Sequence, residues 1–251
     1  MRSRKRFAVM LGLVTAGALA IAGLALAAGH STVSFHFSPS NVPRRTFQKG
    51  KINVHTHTNY TGATQTNRAQ LNFDDDFKVN PNAVPKCAKS KVSGTLSMAA
   101  AMSRCGSALI GKGTAKAKAG PSTIHACVLA FNGKPQNGHP TVLLFTRAQS
   151  APPFTINCSD PRHNHHGNAN VLLQGVFRKS PLGGDYGRLL DFNNITQNSP
   201  FPLTDFNVTA GRRNYVSARC HDTNHRWNLK TKFSYVHPRG TQTVKASQLC
   251  S

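Results

Sequence analysis

The chain has 251 residues, with 31 Lys and Arg against 8 acidic residues and a formal charge of +23. Every acidic residue is aspartate, so no glutamate is present for a His-Glu-x-x-His metal site or a glutamate-based carboxylate pair, and a Gly-x-Ser-x-Gly nucleophile elbow is also absent. So large an excess of positive charge cannot be neutralised internally, and anionic partners are the expectation.

The first 27 residues read as an export signal. Arg2, Arg4, Lys5 and Arg6 form a basic start, an apolar segment runs from Phe7 to Leu26, and Ala25-Leu26-Ala27 is a small-x-small cleavage pattern, placing the cut before Ala28. The alternative is a retained anchor, since the apolar run approaches the ~20 residues of a spanning helix. Cleavage leaves residues 28–251 as a single expected domain. Its charge is +19, from 31 − 4 = 27 basic residues against 8 acidic ones.

From there the pattern is mostly that of strands. Val33, Phe35 and Phe37 alternate with polar residues, as do Ile52 and Val54 with His55 and His57. Asp74-Asp75-Asp76 lacks the spacing of a calcium loop, and neighbouring strand side chains point to opposite faces, so a solvated strand end is expected. Ser97 to Arg104 favours a short helix with Gly106 at its stop. Gly106 to Thr114 nearly spells a P-loop, but Gly113 stands where a hydroxyl is needed, so the expectation is a glycine-edged turn entering a basic strand.

Continuous apolar runs at Ile124–Phe131, Val142–Phe145 and Val171–Phe177 suit strands covered on both faces. Asn132-Gly133, Asn137-Gly138 and Gly183-Gly184 read as turns. His163, His165 and His166 crowd a stretch between Pro161 and Gly167, where they are candidate ligands for zinc, copper or nickel on what reads as an exposed loop. In the last quarter Trp227, Leu229, Thr231, Phe233 and Tyr235 share one face, with Arg226, Asn228, Lys230, Lys232 and Ser234 on the other.

The six cysteines, Cys87, Cys105, Cys127, Cys158, Cys220 and Cys250, fit disulfides in an exported protein. Six cysteines allow 15 pairings. Sequential pairing closes the shortest loops, and in it Cys220–Cys250 clamps a hairpin returning along Thr241–Leu249. The expected architecture is all-β, an antiparallel two-sheet β-sandwich with one short helix, stapled by disulfides. Two smaller sandwiches joined near Gln149–Pro153 are the alternative.

Pro85-Lys86-Cys87, Ala101-Met102-Ser103-Arg104-Cys105, Ile110-Gly111-Lys112-Gly113, Phe131-Asn132-Gly133, Tyr215-Val216-Ser217-Ala218-Arg219-Cys220 and Phe233-Ser234-Tyr235 carry a resemblance. The chain resembles a group of uncharacterised secreted proteins of soil actinobacteria, relative to which Cys127 and Cys158 look like an extra pair. The resemblance implies export and fold, and no catalytic residue.

The basic residues are spread along the chain, the candidates for anion binding being Lys112, Lys116 and Lys118 and then Arg226, Lys230 and Lys232. The expected function is non-enzymatic adhesion of a secreted or envelope-associated protein to anionic surface polymers. It involves no cofactor, no specific nucleic acid and no membrane span after cleavage. The alternative is a secreted hydrolase whose Ser, His and Asp are brought together by the fold.

Overall fold

The structure, a computed structural model, describes residues 31–59, 65–148, 158, 169–199, 201–221, 225–236 and 239–251. The signal segment 1–27, His163, His165 and His166 lie outside the described residues. In chain order the elements are β1 (Ser31–Ser38), β2 (Gln48–Thr58), β3 (Thr66–Asp74), β4 (Phe77–Val79) and α1 (Met98–Cys105). Next come β5 (Leu109–Ala119), β6 (Ser122–Gln136), β7 (His139–Ala148), β8 (Asn170–Gly183) and β9 (Tyr186–Phe192). The last are α2 (Ile195–Asn198), β10 (Leu203–Ala210), β11 (Val216–Ala218), β12 (Arg226–Val236) and β13 (Arg239–Leu249).

These strands form one 13-stranded antiparallel sheet, ordered β13-β12-β3-β9-β8-β7-β6-β5-β10-β2-β11-β4 with β1 also on β2. The two-sheet sandwich is therefore corrected. Period-two patterning shows that a strand has one covered face, but the cover here is the far side of the same sheet. The sheet rolls until its two ends meet. Gln242 on β13 accepts from the Ser31 N–H (2.7 Å) and donates to the Ser31 carbonyl (3.0 Å). Gln248 does the same for Phe37, at 2.6 and 2.9 Å. The same interval separates Ser31 from Phe37 and Gln242 from Gln248, so β1 and β13 run parallel at this seam. Side-chain amides there replace a backbone ladder and satisfy edge groups that would otherwise be open to pairing.

The inner face carries the main core. Val128, Ala130, Val142 and Leu144 face it from β6 and β7, with Phe35, Leu71, Phe177 and Trp227 from other strands. Outside β6 and β7, Leu129, Phe131, Leu143 and Phe145 form a second core with Val92, Met98, Ala101 and Ala108. Residues 126–131 and 142–145 are thus covered on both faces, the outer cover being the segment that contains α1, whereas His125 is exposed and the run 171–177 keeps one half-exposed face. Ser97 caps that helix by accepting from the Ala100 N–H at 3.0 Å. Gly106 ends it in a right-handed conformation that leads into a 3₁₀ turn.

Asn137-Gly138 makes the β6–β7 turn with positive φ at both residues, the conformation that favours Asn-Gly in a two-residue hairpin. Asn132-Gly133 is not a turn and lies inside β6. The Asn132 side chain donates to the carbonyls of Pro81, Val84 and Pro85, at 2.8, 2.8 and 3.2 Å. A Cβ at Gly133 would stand 2.1 Å from Thr141 Oγ1. The dipeptide therefore seats the 81–87 segment on the wall.

Bonds join Cys87 to Cys105, Cys127 to Cys158 and Cys220 to Cys250. The first ties the end of α1 to the start of its segment. The last fixes the chain end beside the seam, where the Ser251 carbonyl accepts from the Val42 N–H.

Candidate functional site

The basic candidates point outwards. On β12 the alternation buries Trp227, Leu229, Thr231, Phe233 and Tyr235 and turns Arg226, Lys230 and Lys232 to the other side. In the β12–β13 register Lys230 stands directly opposite Lys245, and Lys232 lies one step along opposite Thr243. Directly opposed residues share a face with close Cβ atoms, so this like-charge pair is unfavourable unless an anion is near. On β5, Lys112, Lys116 and Lys118 alternate with inward Ala115 and Ala117, and Lys118 Nζ donates to Thr123 Oγ1 at 2.9 Å. The glycines of the P-loop-like stretch serve a close approach between strands. A Cβ at Gly113 would fall 2.0 Å from the Asn207 carbonyl of β10.

Next to Lys116, on the same outer face, His55 and His57 converge on Asp205. Their distances to its Oδ2 are 3.1 Å from His55 Nε2 and 3.4 Å from His57 Nδ1. Burial raises the Asp205 carboxyl, but the bonds and charges of His55, His57 and Lys116 together outweigh it, leaving it below the ordinary carboxylate value. Ser34 is opposite His55 in the β1–β2 register, so a Ser, a His and an Asp share the outer face of three adjacent strands. Yet His55 and His57 are well exposed on an open sheet face.

The aspartate cluster corrects an expectation. Asp74 and Asp76 are fully buried, and ligand atoms of all three residues fall within 4.8 Å of one another. A turn at Asp75-Asp76 breaks the strand alternation and brings Asp76 back towards Asp74. The carboxylates already have protein partners. Asp74 accepts from the Asp76 and Asn228 amides, while Asp76 accepts from Arg219 Nε at 2.7 Å and the His221 amide at 2.6 Å. The cluster locks the β3–β4 turn to the chain leading into β12.

Inside the sheet lies a cavity of about 150 Å³, walled by side chains from every strand from β2 to β12. Towards β4 the interior is plugged by aromatic rings, Phe77 meeting Phe37 at 5.5 Å and Trp227 at 5.4 Å between centroids. Tyr215 borders the cavity, is 1% exposed, and its fully shielded hydroxyl has no hydrogen-bond partner among the described residues. Burial alone pushes that phenol well above its ordinary value. Neither the cavity nor Tyr215 has a signal in the sequence, because walls contributed by eleven strands are brought together only by rolling the sheet.

In comparisons with known proteins, the chain matches no protein-family model, no curated protein and no solved structure. Function therefore rests on the geometry of this chain.

Proposed function

We propose that this is an exported, non-enzymatic barrel-like protein that adheres to anionic surface polymers through the positive charge on its outer wall. The Lys230–Lys245 pair carries this reading: two lysines directly opposite in the register on an outward face, with Lys232 and Arg226 on the same strand face. Charge stoichiometry supports it, since 8 carboxylates can neutralise only a minority of 31 cations. Three disulfides fit an oxidising compartment. Among the described residues no helix is long and apolar enough to cross a membrane.

Adhesion of this kind is governed by screening, whose length falls from ~8 Å at physiological ionic strength to ~3 Å at 1 M. Purified protein should bind polyphosphate or isolated cell wall tightly at low salt and elute as salt rises. The variant Lys230→Gln/Lys232→Gln/Lys245→Gln should elute earlier with an unchanged fold. Retention that survives 1 M salt would refute the electrostatic reading. Amino-terminal sequencing of protein from culture fluid should begin at Ala28.

A further inference from the structure

We propose that the cavity inside the barrel is a binding site for a compact, uncharged and mostly apolar molecule about the size of a substituted benzene. This goes beyond adhesion, which uses the opposite face of the same sheet.

Protein interiors pack to near-crystalline density, with few voids larger than a water molecule. Here about 150 Å³ remains open. The walls are formed by Ile52 and Val54 on β2, Leu71 on β3, Leu144 on β7, Phe177 on β8 and Leu190 on β9. Val54 and Leu190 face the core yet remain only partly buried, because free space lies in front of them. Apolar cavities of this volume stay dry and accept benzene-sized guests. The volume is too small for a long acyl chain.

Charged residues touch the space only at its margins. Lys78 and Arg188 are exposed, and Asp205 is engaged by His55 and His57 on the outer face. An ionic guest would find no partner in the middle of the cavity, and this sets the ligand class as neutral.

The test compares acetophenone with cumene, which have the same number of heavy atoms and differ in the carbonyl. Binding to the purified protein is followed by thermal unfolding and by methyl NMR shifts of Val54 and Leu144. Both probes should bind. Val54→Phe and Ala130→Leu fill the space, and each, shown to be folded by near-ultraviolet circular dichroism, should bind neither probe. Failure of the folded wild-type protein to bind either probe would overturn the site, as would undiminished binding by the filled variants.

Discussion

In the arc formed by β6 and β7, Leu129, Phe131, Leu143 and Phe145 pack outwards beneath α1, and Val128, Ala130, Val142 and Leu144 pack inwards. At the seam between β13 and β1 nothing comparable exists. β13 is alternately exposed and half-buried along its whole length, and it meets β1 through two glutamine side chains. The arc is held by apolar burial on two faces, the seam by polar satisfaction and by a covalent clamp at Cys220–Cys250. One continuous sheet thus uses two kinds of cohesion. The difference teaches that closure of the roll is its locally weakest step, since hydrogen bonds contribute less net stability than a doubly buried strand.

The largest effect is expected in the arc. Phe145→Ala empties a fully buried site of the outer core and should cost about 3–5 kcal/mol, read from denaturant unfolding at unchanged m-value. Next comes the clamp. Cys220→Ser with Cys250→Ser frees a loop with a separation of 30 residues and should cost about 3–4 kcal/mol, with new protease sensitivity near the carboxyl end. At the seam itself Gln248→Ala strands the amide and carbonyl of Phe37, with a loss of about 1–3 kcal/mol. A loss there as large as at Phe145 would erase the contrast between the two regions.

The smallest effect is the pH response at the outer face. The folded Asp205 carboxyl lies below its ordinary value of 3.8. Its contribution to stability is therefore present above that pH and is lost as pH falls through the lower folded value. Wild type and Asp205→Asn should accordingly converge in Tm below pH 3.8 and separate above it. A constant gap across that range would show that His55 and His57 do not stabilise the ionised form.

Much of the wall was legible in the sequence. The alternation from Trp227 to Tyr235 describes β12 residue by residue, and the uninterrupted apolar runs mark β6 and β7 as doubly covered because no polar face is left to meet water. What escaped depends on long-range geometry. Gln242 and Gln248 look like ordinary polar strand residues, and only the rolled sheet brings Ser31 and Phe37 beside them. Asn132-Gly133 has the same composition as the real turn at Asn137-Gly138, but its asparagine amide is spent on three carbonyls of a distant segment. The aspartate cluster was misread by applying strand alternation across a turn. Of the candidate site, the outward lysines were readable from period two. The cavity and the orphan hydroxyl of Tyr215 were not, since neither is a property of any single strand.

Outward charge and inward cavity both depend on closure of the sheet, so the most direct measurement is amide hydrogen exchange at Ser31 and Phe37. These N–H groups donate to the side chains of Gln242 and Gln248 at 2.7 and 2.6 Å. In a closed barrel both amides should be protected well above the level of an open strand edge, and Gln242→Ala with Gln248→Ala should release both while leaving Leu144 protected. Exchange of Ser31 and Phe37 in the wild type at the rate of unprotected edge amides would contradict closure, and with it the account of the cavity.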